Sequence, residues 1–137
     1  MPRISGGCLC GAVRYESAAQ PSLVVVYHCA TCQKNTGSAF SLNRAMPRDA
    51  VTITGDSLTT YKDDSGASGK PFYRSFCGRC GFPISGQGEA YPNMLILKAG
   101  TLDDPSWVKP EGHIWCVEKQ PWLSIEPGVL QLPGASP

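Results

Sequence analysis

The stretch CGRCGFPI, residues 77–84, and its earlier counterpart CLCGAVRY, residues 8–15, decide the fold of this chain. Each has a close pair of cysteines, a glycine directly after the second thiol, and then a strand-like segment. Glycine reaches the positive φ that a sharp turn requires, and such a turn lets backbone N–H groups point at the sulfur atoms. Two facing turns of this kind supply four thiolates, which is the ligand set of a closed structural zinc site.

These two stretches therefore predict a structural zinc site whose ligands are Cys8, Cys10, Cys77 and Cys80. In a reducing compartment, close cysteine pairs are metal ligands more often than disulfides. The alternative is two unrelated pairs of buried thiols. Structural zinc contributes ~10–16 kcal/mol in small peptides, whereas a whole domain is stable by only ~5–15 kcal/mol. We therefore expect the domain to need its metal in order to fold.

The rest of the chain has the pattern of short β-strands. Its 15 glycines and 12 prolines divide it into brief segments rich in β-branched and aromatic residues. Several segments alternate apolar and polar residues with the period of two that half-buried strands show. No apolar stripe at helical spacing lasts beyond about two turns, and ATCQKNTG is at most a short helix or loop. We predict an all-β class built from two or three small sheets.

Length and composition indicate a single domain, residues 1–137, in which the tail 131–137 is expected to be flexible. The net charge of +1 offers no basic field for nucleic acid or an anionic membrane. The longest apolar run, LVVVY, is far shorter than the ~20 residues that span a bilayer. The amino terminus, MPRISGGCLCG, has no apolar segment typical of a secretion signal. We therefore expect a cytoplasmic protein with no nucleic-acid or membrane partner.

A second kind of cysteine pair ends the apolar run in VVVYHCATCQ, residues 24–33. Cys29 and Cys32 are only half of a tetrahedral metal site. They could hold zinc together with a further ligand, form a redox-active disulfide, or simply pack in the interior. A zinc ion with three protein ligands would keep one position open for a substrate.

Five blocks occur in the order GGCLCGAVRY, YHCATCQKNTGSAF, YRSFCGRCGFPI, LKAGTLDDP and HIWCVEKQPW. Together they resemble the glutathione-dependent formaldehyde-activating enzyme family, also called the Gfa or centromere-protein-V family. The resemblance implies an Mss4-like fold, in which small antiparallel sheets are organised around a structural zinc bound by the four cysteines above. It also implies a catalytic zinc held by a C-H-C-x-x-C motif, and the joining of glutathione to formaldehyde as S-hydroxymethylglutathione.

In this chain Tyr27 occupies the first ligand position of that motif. A phenol, with a pKa of about 10, is a poorer zinc ligand at neutral pH than a thiol with a pKa of about 8.5. Tyr27 and Cys29 would lie on the same face of a strand, whereas His28 would point away from both. Cys116 and His113, in HIWC, are the other candidates for a third ligand.

These residues favour a zinc-dependent carbon–sulfur lyase or synthase that acts on a glutathione-like thiol and a small carbonyl compound. Cys29, Cys32 and Tyr27 would form its catalytic centre. The alternatives are a non-catalytic, zinc-stabilised binding module and a thiol redox protein that uses the Cys29/Cys32 pair. Metal stoichiometry separates them, because two zinc ions per chain favour the enzyme and a single zinc ion favours the others.

Overall fold

The computed structural model describes residues 3–19, 23–66 and 68–135, and the strands in this part of the chain form two sheets. The smaller sheet is antiparallel. It consists of β1 (Ile4–Gly7), β2 (Arg14–Ser17) and β5 (Thr52–Thr54), with β2 in the centre.

The larger sheet has eight strands, which are β3 (Leu23–Tyr27), β4 (Ser41–Pro47), β6 (Leu58–Asp63), β7 (Phe72–Cys77), β8 (Pro83–Gly88), β9 (Met94–Lys98), β10 (Gly112–Ile114) and β11 (Leu130–Gln131). Their order across the sheet is β11-β10-β3-β4-β9-β8-β7-β6. The connections include the helix α1 (Ala30–Thr36) and three short 3-10 helices, Arg48–Ala50, Ala99–Thr101 and Cys116–Glu118.

The all-β class expected from the sequence is confirmed, although one of the two sheets is larger than expected. The described strands pair antiparallel except at β10, which runs parallel to both β3 and β11. A parallel pair needs a long connection, and the chain between residues 27 and 112 is long enough to provide one. No helix in the described ranges is long and apolar enough to cross a bilayer.

The hydrophobic core lies between the two sheets. The smaller sheet contributes Ile4 and Tyr15, and the larger one contributes Met46, Leu95 and Leu97. Packing is close enough that a Cβ on Gly6 would overlap both the Tyr15 phenol and the Thr101 carbonyl. The thiols of Cys8 and Cys77 belong to the same buried cluster, so the cysteine turns are continuous with the core.

The tail 131–137 is described up to residue 135. Gln131 lies in β11, and the Leu132 N–H donates to the His113 carbonyl at 2.9 Å. The Trp115 N–H donates to the Gly134 carbonyl at 3.0 Å. The backbone up to residue 134 is therefore hydrogen-bonded to the segment that contains His113 and Cys116. Residues 136–137 lie outside the described part of the chain.

Candidate metal centre and thiol pair

The four cysteines predicted to bind structural zinc come together in the structure. Their Sγ atoms all lie within 4.8 Å of one another, with 3.6 Å between Cys8 and Cys10 and 3.8 Å between Cys10 and Cys77. A tetrahedral zinc ion with Zn–S bonds of about 2.3 Å would hold its sulfur atoms about 3.8 Å apart. The donor set and its spacing therefore fit zinc.

Both cysteine turns have the local geometry that the sequence implied. Gly11 and Gly81 each have φ of 80°, and no atom lies within 4 Å of a Cβ built on either glycine. A side chain would fit at both positions, so it is the positive φ of the backbone that requires glycine there. The Gly81 N–H closes its turn on the Cys77 carbonyl at 2.7 Å, and Gly11 does the same with Cys8 at 3.3 Å.

Hydrogen bonds to the sulfur atoms favour their ionised form. The Val13 N–H donates to Cys8 Sγ and the Arg79 N–H donates to Cys77 Sγ, each at 3.3 Å. The Ser57 hydroxyl lies 3.4 Å from Cys77 Sγ. This hydroxyl, together with backbone N–H groups, lowers the pKa of Cys77 to about 6.

The Cys10 thiol shows what a bound cation would change in this cluster. The backbone N–H of Ala12 favours its thiolate, but desolvation and the three neighbouring sulfur atoms raise the pKa of Cys10 to about 11. Four thiolates at these distances repel one another, and a bound dication removes the repulsion because it deprotonates its thiol ligands. Within the described residues, this is the one group of three or more Cys, His, Asp or Glu side chains close enough to share a metal ion.

Cys29 and Cys32 lie at the start of α1 and are joined by a disulfide, with a Cα–Cα distance of 5.2 Å. Cys32 is buried, whereas Cys29 is partly exposed. Cys29 is the N-cap residue, yet no side chain within the helix caps the free N–H groups. The Glu118 carboxylate does so instead, because it accepts a hydrogen bond from the Ala30 N–H at 2.5 Å.

Tyr27 borders an apolar groove on the outer face of the larger sheet. The groove has a volume of about 270 Å³ and is lined by Leu23, Val25, Tyr27, Asn43, Ala45 and Met94. Burial raises the pKa of Tyr27, so its phenol stays protonated at neutral pH. The role of Tyr27 as a metal ligand remains a prediction, as does the second zinc at Cys29 and Cys32.

The two histidines contact each other instead of joining a metal-ligand group. His28 is fully buried, and its Nε2 lies 2.8 Å from His113 Nδ1, with the two rings stacked at 18°. Desolvation lowers the pKa of both imidazoles. Cys116 is a free, partly buried thiol at the start of a short 3-10 helix. Neither histidine nor Cys116 belongs to a cluster of three potential ligands among the described residues.

The structure also brings together a polar cluster that sequence reasoning missed. Lys98 Nζ donates to Ser41 Oγ at 2.7 Å, and the Ser41 hydroxyl donates to Asn43 Oδ1 at 2.8 Å. Ser41 pairs with Tyr27 and Asn43 pairs with Lys98, so all four lie on the groove face of the sheet. Burial, with the charge of Arg74 as a smaller cause, lowers the pKa of Lys98 to about 8. The alternation of polar and apolar residues in SLN, residues 41–43, was the available signal.

A mostly β domain in which two glycine turns bring four cysteines to metal-ligand spacing defines a β-protein with a candidate metal site. The chain belongs to the glutathione-dependent formaldehyde-activating enzyme family, whose model matches residues 3–118. The family resemblance drawn from the order of the motifs is confirmed by this match.

The fold also has a counterpart among solved structures. A crystal structure of a Rhodobacter sphaeroides protein, a structural genomics target, has a TM-score of 0.58 to this chain at 18% sequence identity. The similarity covers 93% of this chain and 98% of that one. It shows a shared fold over nearly the whole length of both proteins.

Proposed function

We propose that this chain is a zinc-dependent carbon–sulfur lyase or synthase that acts on a glutathione-like thiol and a small carbonyl compound. The observation that carries the proposal is the family match over residues 3–118, which includes both the tetracysteine cluster and the Cys29/Cys32 pair. The groove that Tyr27 lines supports it, because it provides an apolar space that begins two residues before Cys29 in the chain.

The reaction is an addition and its reverse. The substrate sulfur gives an electron pair to the carbonyl carbon, the C–S bond forms, and the carbonyl oxygen gains a proton. In the lyase direction the same bond breaks and the thiol leaves. Cys29 and Cys32, once reduced, are the residues that would hold a second zinc ion. When bound, that ion would supply a Lewis acid and lower the pKa of the substrate thiol.

Tyr27 has a role in this proposal that does not require it to bind metal. Its phenol stays protonated, since burial raises its pKa, and it borders the groove. A neutral hydroxyl there can donate a hydrogen bond to the carbonyl oxygen as negative charge develops on it. The tetracysteine cluster is a closed set of four ligands, so its part in the proposal is to stabilise the fold.

The disulfide between Cys29 and Cys32 supports a second candidate function, a thiol redox protein. In that case the pair would cycle between dithiol and disulfide by exchange with a thiol of low molecular weight. The chain would then bind a single zinc ion, and the groove would hold the exchanging thiol.

Metal stoichiometry and a solution assay test the proposal together. Protein purified anaerobically with a reductant is expected to hold two zinc ions and to accelerate the interconversion of glutathione, formaldehyde and their adduct in exchange NMR. Cys29→Ser should lose the second zinc ion and the acceleration. Cys116→Ser, which alters a thiol outside the pair, is the matched control and should keep both. Wild-type protein that holds two zinc ions but gives no acceleration would contradict the proposal.

A further inference from the structure

Arg44 lies in β4 on the opposite side of the sheet from the groove, and its side chain is fully buried. Its neighbours along the strand, Asn43 and Ala45, line the groove, and strand alternation therefore turns Arg44 toward the interior between the two sheets. An arginine at such a position is unusual, because arginine is rarely buried without a partner.

The hydrogen bonding of Arg44 is incomplete. Its Nη1 lies 3.8 Å from Met46 Sδ, which is a weak acceptor. Its Nε and Nη2 are buried and have no hydrogen-bond partner among the described residues. Burial lowers the pKa of Arg44, but a guanidinium stays protonated at any physiological pH. The interior thus contains a positive charge with two unused donors.

No acidic side chain in the described ranges compensates this charge. The ion pairs found there join Arg3 with Glu16, Arg14 with Asp103, and Arg74 with Asp63. The neighbour that favours the charged form of Arg44 is the phenol of Tyr15.

The Tyr15 side chain is neutral, and its hydroxyl proton is already used in another hydrogen bond. Thr101 donates its hydroxyl proton to the Lys98 carbonyl at 2.7 Å, so Tyr15 must be the donor in its own 2.7 Å bond to Thr101. The Tyr15 oxygen is therefore left with acceptor capacity alone, but neither Nε nor Nη2 of Arg44 is hydrogen-bonded to it, and it brings no negative charge.

The two unused donors form one geometric unit. Nε–H and one N–H of Nη2 lie along the same side of the planar guanidinium and point in nearly parallel directions. This edge matches the two oxygen atoms of a carboxylate, and two charge-assisted hydrogen bonds form together when they meet. A single water oxygen or a halide ion would have to accept both nearly parallel N–H groups at a bent angle, which weakens each hydrogen bond.

One aromatic side chain lies over Arg44. The Trp107 ring lies over the guanidinium, 5.6 Å from Arg44 Cζ to the ring centroid, and Trp107 itself is 39% exposed. Trp107 belongs to the segment between residues 103 and 111, which has no helix or strand. The ring that lies over the buried charge is thus itself partly exposed and belongs to an irregular segment.

We propose that Arg44 forms an internal binding site for a small carboxylate anion, of the size of formate or acetate, beneath Trp107. The anion would complete the hydrogen bonding of Nε and Nη2 and neutralise the buried charge. The ligand has to be small because Met46 and Trp107 both lie against the guanidinium. The site is separate from the Tyr27 groove, since the two lie on opposite faces of β4, and it does not depend on the proposed carbon–sulfur chemistry.

Titration of the zinc-loaded protein with sodium formate tests this site. Formate should replace chloride at constant ionic strength while tryptophan fluorescence and the thermal midpoint are recorded. We expect a saturable fluorescence change and a rise in the midpoint within about 100 mM formate. Arg44→Lys keeps the charge but loses the two-donor edge, and should weaken formate binding at least about tenfold. Arg48→Lys, at an exposed arginine nearby, should bind like the wild type.

A second measurement needs no variant and covers the case in which Arg44→Lys fails to fold. The ¹⁵N–¹H resonance of Arg44 Nε, observed in the wild-type protein, should shift saturably with ¹³C-formate and give a contact with its carbon. Absence of that shift, equal binding by wild type and Arg44→Lys, or a preference for chloride over formate would each overturn the proposal.

Discussion

Replacing Gly81 by alanine would test how the cysteine turn is held. Gly81 has φ of 80°, and a Cβ there would contact no atom within 4 Å. The substitution therefore adds backbone strain without any steric overlap. A residue with a Cβ in this conformation costs about 1–2 kcal/mol.

Part of that cost is offset in the unfolded chain. Alanine restricts the unfolded backbone more than glycine does, which by itself stabilises a protein by about 0.4–1 kcal/mol. Gly100→Ala is the matched control, because Gly100 has no positive φ and a Cβ there also contacts nothing within 4 Å. The difference between the two variants isolates the strain, so Gly81→Ala should be less stable than Gly100→Ala by about 1–2 kcal/mol.

Urea unfolding of both zinc-loaded variants measures this difference, with the wild type as reference. Transfer of zinc to a competing chromophoric chelator provides an independent readout, and Gly81→Ala should release its metal more readily, by a factor of about 5–30. Equal stability and equal zinc retention in the two alanine variants would refute the view that positive φ is the reason for glycine in the turn.

Three further predictions follow from the contacts described above. Cys77→Ser should give insoluble or zinc-depleted protein by elemental analysis, and a soluble variant with full zinc content would contradict the structural role of the cluster. Glu118→Ala removes the acceptor of the Ala30 N–H and should cost about 0.5–2 kcal/mol in chemical unfolding; no loss would mean that water replaces the carboxylate. Lys98→Met should gain about 1–3 kcal/mol relative to the wild type at pH 7, because it removes a charge that burial disfavours. Because the folded-state pKa of Lys98 is lowered to about 8, the stability of the wild type should rise between pH 8 and pH 10. The advantage of Lys98→Met over the wild type should therefore shrink in that range. If the stabilities of the two proteins instead change in parallel with pH, the burial effect is excluded.

Much of the metal site could be predicted from the sequence because its determinants are local. Each cysteine turn contains its own ligands and its own glycine, and the N–H groups that bond to the sulfur atoms lie within five residues of them. The all-β class followed from the period of two along short segments. The family could be predicted because several motifs occur in a fixed order, and that order can be read from one sequence.

The remainder of the candidate site depends on contacts between distant segments. Tyr27 was recognised as a departure from the motif, but the groove it borders exists only because Asn43 and Met94 come to lie beside it. His28 contacts a residue 85 positions away in the chain, and this contact between a fully buried and a half-buried histidine has no signal in the spacing of either one.

The convergence of four thiols at metal-ligand spacing and a domain built from strands could both be predicted from the sequence, because these features follow from residue chemistry and short-range periodicity. Three other features became visible only in the folded chain: β10 joins the larger sheet in parallel, Lys98 contacts Ser41, and Arg44 is buried without a counter-ion among the described residues. The physical reason is that strand pairing, desolvation and charge compensation depend on which distant residues become neighbours, and this is fixed only when the whole chain packs.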